Sequence, residues 1–434
     1  MKTVAFHTLG CKVNQVETEQ IKDDLIQKGY QVVDFSQPAD LYIINTCTVT
    51  HVSDRKSRAV IRRALRTNPE ATVVVTGCMA ELEPEKIAGM KGVNWVVGNR
   101  DKHRIAQIID SQDESRAAGG LIREPISSQD PLEPVYYHRH HERTRAFVKI
   151  QDGCQSFCTY CIVPYTRGPV RSKDPDLVVR EFKQLIEMGY REIVLTGIHA
   201  GQYGKSLPGW SLDRLVEKIL ESVKGKYRIR LSSIELGEIS NGLIELMRDE
   251  PRLCRHLHIP LQSGSDTVLK RMGRRYDREE YRRRVLETAE LVPDIGLAAD
   301  VMVGFPGETE EDFDATLQLL QSLPLLDLHV FKYSPRPGTP AASFPDQVDE
   351  RVKNQRSSIL LDLARRKHEA FLNSMIGKSL TVLVETCQSG KCSGFSDNYI
   401  EIEFSSPHDL CGQFVETVIN GMSQNRAVAR LLRP

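Results

Sequence analysis

The sequence predicts an α/β protein in three parts: an N-terminal doubly wound α/β domain over 1–133, a central partial (β/α)6 barrel over 134–375, and a small C-terminal β barrel over 376–434. Two separate runs of strand–helix alternation predict the first two parts, because short β-branched strands alternating with amphipathic helices form parallel sheets covered by helices. A last stretch with apolar residues at every second position predicts the third. The totals agree with several domains. At 434 residues the chain is too long for one ordinary core, and its 40% hydrophobic and 27% charged content belongs to globular proteins and excludes a disordered chain.

In the first part, Val4–Leu9, Leu41–Asn45, Val73–Thr76 and Trp95–Val97 read as buried strands, and Val13–Lys28, Val52–Arg66 and Pro84–Met90 as the helices between them. Three cysteines follow strands directly: Cys11, Cys47 and Cys78. The carboxyl ends of parallel strands share one edge, so thiols distant in sequence converge there and can hold metal. Small buried hydrophobes at strand ends are the plainer alternative for any one of them. The helix bearing Arg55, Lys56, Arg58, Arg62, Arg63 and Arg66 is basic, which by default means a solvated face. Residues 111–134 are rich in Ser, Asp, Glu, Gly and Pro and read as a linker. From Tyr136 to Arg145, aromatic and basic residues interleave, a mix that suits phosphate contact and base stacking as well as a polar interdomain strap.

The second alternation has strands at Phe147–Gln151, Ile193–Thr196, Arg228–Ser232, His256–Ile259, Ala299–Val303 and Leu328–Tyr333, with helices near 175–188, 211–223, 240–249, 278–291 and 309–322. Straight after its first strand come Cys154, Cys158 and Cys161, three cysteines in eight residues. Three thiolates in one tight loop can each hold one iron of a four-iron cluster and leave the fourth iron open. A zinc site needs a fourth ligand, and the next candidates, His199 and Cys254, have no finger-like spacing. The segments after the other strands, Thr196–His199, Ser232–Glu235, Pro260–Gly264 and Gly304–Glu308, should face the open iron, since barrel sites lie at strand carboxyl ends. Gly197, Glu235, Gln262 and Gly304 are the candidate cofactor contacts there. No Walker-type Gly-x-x-x-x-Gly-Lys-Ser/Thr occurs, which argues against a P-loop nucleotide enzyme.

The densest basic stretch is Lys270–Tyr276 with Arg282, Arg283 and Arg284, partly offset by Asp277, Glu279 and Glu280. It reads either as a rim for a polyanion or as a helix with internal ion pairs. After Pro345 a polar helical stretch runs to about Ser374. Leu380, Val382, Val384, Ile400, Ile402, Phe414 and Val418 then mark the small barrel's strands. Cys387, Cys392 and Cys411 read as ordinary residues without ligand spacing.

Charge and leader signals restrict the setting. Lys+Arg and Asp+Glu are 58 each, so affinity for nucleic acid must come from local patches. Ten cysteines are too few for a disulfide scaffold, and their placement fits reduced thiols in a reducing compartment. No apolar run is long enough for a bilayer, and the short stretch before Cys11 is broken by His7. The expectation is a cytoplasmic protein with no membrane partner.

The Cys154-x-x-x-Cys158-x-x-Cys161 loop resembles the signature of radical S-adenosylmethionine enzymes. Together with Cys11, Cys47, Cys78 and the terminal β barrel, which resembles a TRAM domain, the whole chain is similar to the methylthiotransferase family. Gly10-Cys11-Lys12-Val13-Asn14-Gln15 resembles the branch acting on N6-threonylcarbamoyladenosine in tRNA, whereas the isopentenyladenosine branch usually carries Gln-Met after this cysteine and the ribosomal-protein branch Pro-Lys. The segments Leu195–His199 and His258–Ser265 also look like the threonylcarbamoyl branch. The resemblance implies methylthiolation of adenosine C2 next to the anticodon, with two [4Fe-4S] clusters and S-adenosyl-L-methionine as cofactors. Cys154, Cys158 and Cys161 would hold the radical-generating cluster, and Cys11, Cys47 and Cys78 an auxiliary cluster that delivers sulfur. No side chain is assigned as a general base. The TRAM-like part, with the 270–284 stretch, would bind the tRNA anticodon arm, and an external electron donor and a sulfur donor would be further partners. The same chemistry on isopentenyladenosine tRNA or a ribosomal protein, and a non-catalytic iron–sulfur or zinc RNA-binding protein, stay open as alternatives.

Overall fold

The protein is described by a computed structural model over residues 2–110, 120–137 and 144–433. In the first part, β1 (Thr3–Thr8), β2 (Gln31–Val32), β3 (Leu41–Thr46), β4 (Thr72–Gly77), β5 (Trp95–Val97) and β6 (Gly120–Ile122) form one sheet in the order β2-β1-β3-β4-β5-β6, parallel throughout. Helices α1 (Lys12–Gln27), α2 (His51–Thr67), α3 (Cys78–Leu82), α4 (Pro84–Ala88) and α5 (Ile105–Asp110) connect the strands. Alternate strand residues feed opposite faces: Val4, Ile43 and Val74 pack with Ile21 and Leu25 of α1, while Ala5, Ile44 and Val75 pack with Ile61 and Ala64 of α2. Burial on both faces explains why these strands read as unbroken apolar runs. The strand order reverses between β1 and β3, which makes that point the switch of a doubly wound sheet.

The predicted linker is shorter than expected. Gly120–Ile122 pairs in parallel with β5 and extends the sheet. Three residues are too few for periodicity to reveal a strand. Of the aromatic–basic stretch, 138–143 lies outside the described residues. Tyr136 is exposed, but Tyr137 is buried in the barrel core with its hydroxyl on the Phe147 carbonyl, 3.1 Å, so it offers no stacking face.

The central part contains β7 (Arg145–Asp152), β8 (Arg171–Ser172), β9 (Glu192–Gly197), β10 (Arg228–Leu231), β11 (His256–His258), β12 (Gly296–Val303) and β13 (Asp327–Lys332). Its helices are α6 (Val163–Arg167), α7 (Pro175–Glu187), α8 (Leu212–Ser222), α9 (Asn241–Asp249), α10 (Asp266–Met272), α11 (Arg278–Leu291) and α12 (Glu310–Ser322). All strands but β8 are parallel to their neighbours. The six expected strands split into two sheets, β10-β9-β7-β8 and β11-β12-β13, joined by a bridge from Ile229 to Leu253. Val148, Ile193, Leu195, Ile229, Leu257, Leu297, Ala299 and Leu328 form the apolar core with the helices. The intervening positions line the lumen and are polar: Lys149, Thr196, Arg228, Arg230, His256, His258, Asp300 and His329.

The barrel is open between its first and last strands, and the N-terminal domain bridges the two edges. Helix α1 packs on β7 and β9. Beyond β13, Arg336 pairs with Asp54 at 2.6 Å and donates to Thr48 Oγ1 at 2.7 Å. The carboxyl edge of the first sheet thereby faces the lumen.

Helix α13 (Glu350–Ser374) leads to a closed barrel of β14 (Ser379–Gln388), β15 (Lys391–Ser396), β16 (Glu401–Ser405), β17 (Phe414–Ser423) and β18 (Arg426–Arg433). Leu380, Val382, Val384, Ile400 and Ile402 point inward as predicted. On β17 the expected phase is reversed: Val415, Thr417 and Ile419 are buried, and Phe414 lies outside beneath Arg228. An aromatic used for an interdomain cation–π contact imitates a core residue in sequence. This barrel closes the amino-terminal end of the central strands. Arg228 donates to Phe395 O at 2.8 Å, Arg230 to Ser396 O and Asp397 O at 2.9 Å each, and Arg255 pairs with Asp397 at 2.7 Å. One cysteine expectation is corrected here. Cys387 and Cys392 are direct partners across the β14–β15 hairpin and form a disulfide, so not all ten thiols are free.

Candidate metal centres and the barrel lumen

The strand-end cysteines do converge. Cys11 is the N-cap of α1 after β1, Cys47 follows β3, and Cys78 opens α3 directly after β4, so all three sit on one carboxyl edge that includes the switch point. Gly10 has a φ of +99°, and a Cβ there would lie 3.0 Å from Cys47 Cβ and 3.2 Å from its sulfur. Only glycine lets the chain leave β1 this close to Cys47. Asn14 shapes the same turns by donating to Leu9 O at 2.7 Å and Thr46 O at 3.1 Å. All three thiols are free. Burial pushes the Cys11 thiol up, opposed by Arg167; it also raises Cys47, and the nearness of Cys78 adds to both.

The second set is clamped locally. Gly153 has a φ of +79°, and a Cβ on it would fall 1.9 Å from Pro169 O, so the loop opens on a glycine that packs against backbone. Cys154 N donates to Gly168 O at 3.1 Å, Cys161 N to Cys158 O at 2.9 Å, and Thr159 N to Met272 O at 2.9 Å. Cys154 Sγ lies 3.4 Å from His199 Nδ1, and this contact lowers its pKa against the upward pull of burial. Arg274 lies 3.5 Å from Cys158 Sγ and offsets part of the burial penalty there. Burial pushes Cys161 up to about 12. His199 Nε2 sits 2.9 Å from Glu238 without hydrogen-bond alignment.

Sulfur spacing differs between a single ion and a cluster. Tetrahedral zinc with bonds of about 2.3 Å sets its ligand sulfurs about 3.8 Å apart. Among the described residues, three ligand atoms come within 4.8 Å only at His258–Asp300–His329 and at Cys387–Asp409–Cys411. Both three-thiol sets are wider, which suits a polynuclear cluster. Cys254 lies near Arg230 and Glu192, with its thiol raised to about 12 by burial.

A largely buried ionic network joins the two sets. Glu17 on α1 receives Arg167 at 2.6 Å, Lys149 at 2.7 Å and Lys102 at 2.5 Å. Asp152, two residues before Cys154, pairs with Lys149 at 2.5 Å and Arg167 at 3.3 Å. Burial opposes both charges, yet the cations prevail: Glu17 titrates well below the usual carboxylate range and Asp152 at about 2. Arg167 also donates to Asn14, so one side chain spans from the turn beside Cys11 to the start of the second loop. Sequence reasoning missed it, because a lone arginine in a short helix carries no pattern.

Of the four candidate cofactor contacts, Glu235 lines a cavity of about 590 Å³ with Cys158, His199 and Arg274, and it pairs with Arg274. The other three are packed closely within the scaffold at the same strand ends. A Cβ on Gly197 would lie 2.8 Å from Gln151 Oε1, the acceptor of His199 N–H. Gln262, at a φ of +68°, pairs its backbone with β12. Gly304 backs onto Lys353, whose Cγ would be 2.2 Å from a Cβ there. The basic stretch is divided: Arg274 faces the cysteine loop and Arg284 binds Ile239 O, while Arg275 and Arg283 remain exposed beside the cavity. On α2, Arg55, Lys56, Arg62, Arg63 and Arg66 are exposed, as a solvated face requires. A lumen cluster also escaped sequence reading: Asp300 lies 2.9 Å from His258 Nε2 and 3.3 Å from His329 Nδ1.

Comparison with known proteins agrees with this architecture. Residues 3–98 match a family described as uncharacterized protein family UPF0004, and 148–320 match the radical SAM superfamily. The threonylcarbamoyladenosine tRNA methylthiotransferase MtaB of Bacillus subtilis is 42% identical over 424 residues, covering 96% of this chain and 94% of the relative. The protein of that name from Aquifex aeolicus is 40% identical, with 96% and 100% covered. The tRNA-2-methylthio-N(6)-dimethylallyladenosine synthase of Maricaulis maris is 34% identical, with 98% and 96% covered. Among solved structures, the radical S-adenosylmethionine methyltransferase TsrM of Kitasatospora setae shares the fold at a TM-score of 0.60 and 15% identity, over 79% of this chain and 75% of that one. The chain belongs to the radical S-adenosylmethionine methylthiotransferase family.

Proposed function

We propose that this enzyme methylthiolates C2 of N6-threonylcarbamoyladenosine beside the anticodon of tRNA. The observation that carries the reading is the pair of three-thiol sets, each wider than a single-ion shell, facing one polar lumen and joined through Arg167. Cys154, Cys158 and Cys161 would hold the [4Fe-4S] cluster that takes S-adenosylmethionine, and Cys11, Cys47 and Cys78 the auxiliary one. When bound, these groups supply homolytic cleavage of an unreactive aromatic C–H bond and a transferable methylated sulfur.

The chain's own residues set the stage for this chemistry. The backbone bonds from Thr159 to Met272 and from Cys154 to Gly168 fix the loop before anything binds. Arg274 and His199 present positive charge to sulfurs that must be thiolates to act as ligands. Glu235, oriented by Arg274, offers an acceptor to a ribose hydroxyl or an ammonium in the adjoining cavity. The apolar face of the central strands packs against the helices, and their other face puts polar side chains into the lumen where a nucleoside would lie.

The domain division at 1–133, 134–375 and 376–434 belongs to the same proposal, with the terminal β barrel as a TRAM-like module for the anticodon arm together with exposed cations of the 270–284 stretch. Identity favours the threonylcarbamoyl substrate over the dimethylallyl one, 42% against 34%. An external electron donor and a sulfur donor complete the reaction. A cytoplasmic location fits a tRNA substrate and the absence of any helix, among the described residues, long and apolar enough to cross a membrane. The decisive experiment is nucleoside mass spectrometry of tRNA from cells lacking the enzyme. Loss of 2-methylthio-threonylcarbamoyladenosine, restored by the wild-type gene, is expected; persistence of that nucleoside with no redundant enzyme present rejects the substrate.

A further inference from the structure

Among the lysines around the lumen, Lys12 differs from the rest, being exposed to solvent. Lys102 and Lys149 are both paired with Glu17, and Lys173 is paired with Glu181 at 2.6 Å. Lys12 makes no ion pair or side-chain hydrogen bond among the described residues. It is the residue next to Cys11, and it lines a cavity of about 400 Å³ with Arg145, Phe147, Arg230 and Tyr399. This cavity lies at the foot of the lumen, where the N-terminal domain, the central strands and the terminal β barrel meet.

The charges of that cavity do not balance. Glu385 is taken by Arg145 at 2.6 Å, and Glu192 is shared by Arg228 at 2.5 Å and Arg230 at 2.8 Å. Of the charged groups lining the cavity, Lys12, Arg145 and Arg230 are cations and Glu385 is the one carboxylate; Arg145 is held by Glu385 and Arg230 by Glu192 behind it, and Lys12 is the cation left over. Lys12 is exposed to solvent, so water solvates its ammonium in the empty cavity, and an anion entering there would meet it together with Arg145 and Arg230. The cavity can take one more carboxylate.

Resting on the function proposed above, we infer that Lys12, backed by Arg145 and Arg230, binds the carboxylate of the threonylcarbamoyl group and so selects the substrate. Chain connectivity supports the placement. In the modified adenosine, C2 and C6 both flank N1, so when C2 faces the sulfur side, where Cys11 is, the N6 substituent with its carboxylate leaves from the same edge of the ring. A cationic side chain one residue from Cys11 is within reach of that substituent. An isopentenyl group has no charge and would leave Lys12 unpaired, so the same residue disfavours that competitor.

The test uses the full-length enzyme with both clusters reconstituted and anticodon stem–loop RNAs that carry threonylcarbamoyladenosine, its methyl ester or isopentenyladenosine. Wild-type enzyme should bind the acid about 10- to 100-fold more tightly than the ester, the range of one charge-assisted hydrogen bond. Lys12→Met should abolish this preference and raise KM far more than it lowers kcat, with iron content and melting temperature as checks on its fold. Lys12→Arg should keep most of the preference. Wild-type binding that ignores the ester, or Lys12→Met that keeps the preference while product forms, overturns the subsite alone. Methylthiolation of the isopentenyl loop in place of the threonylcarbamoyl loop rejects the substrate reading, and the subsite with it.

Discussion

The two cysteine sets are assembled by opposite construction. Cys154, Cys158 and Cys161 occupy one loop of eight residues, fixed by Gly153 and by backbone bonds to Gly168 and Met272. Cys11, Cys47 and Cys78 stand at the ends of three strands and meet only because β1, β3 and β4 are adjacent in a parallel sheet. The first set needs a correct turn; the second needs a correct domain. The loop set is also accompanied by polar partners, His199 and Arg274, which pull Cys154 and Cys158 toward the thiolate. The strand-end set has mainly Arg167, and that residue is shared with the Glu17–Asp152 network. A site made from distant segments thus depends on the interface that orients it.

The largest separation between the sets comes from deleting one ligand of each. Cys158→Ala should abolish both S-adenosylmethionine cleavage and product, since the cofactor has nowhere to bind. Cys11→Ala should keep cleavage and about four irons per chain but yield no methylthio product. Anaerobic iron and sulfide counting, with 5′-deoxyadenosine measured alongside, checks both; full product from Cys11→Ala would break the division of labour.

Next in size is Arg167→Met. It leaves Glu17 and Asp152 short of their shared buried cation, and breaking a buried ion network costs about 3–5 kcal/mol. Denaturant unfolding should show the loss. Because the strand-end set depends on the interface and the loop set does not, the auxiliary cluster should be the harder one to reconstitute in this variant.

The smallest effect concerns the lumen between the sets. Contacts with Asp300 and Asp327 raise His329 from 6.5 to about 9. A raised histidine contributes stability that is fully present below 6.5 and is lost as pH rises through about 9. His329→Gln should therefore flatten the decline of melting temperature over that interval. The shift will be slight, because the side chain is 47% exposed and its ion pairs are screened. An unchanged pH profile would show that the histidine is neutral in the native state.

Much of this was legible in the residues alone, because period and spacing are local properties. Alternating apolar runs located the six central strands to within a few residues, and Cys-x-x-x-Cys-x-x-Cys marked its loop without help from the fold. Strand-end cysteines could be expected to converge, since parallel strands share a carboxyl edge. Other features had no local signature. The three-residue β6 lay hidden in a linker-like stretch, Phe414 passed for core while serving an interdomain contact, and the hairpin pairing of Cys387 with Cys392 depends on register.

The sequence by itself thus determined most of the longer elements, the two candidate thiol sets and the family resemblance, because each is written in residues close together or in a repeated pattern. Only the tertiary structure decided that the first domain bridges the open barrel, that Arg167 ties one set to the other, and that Lys12 enters a cavity with an excess of positive charge. Electrostatic partners are chosen by proximity in space, and a charged side chain shows nothing of its partner until the chain around it is folded.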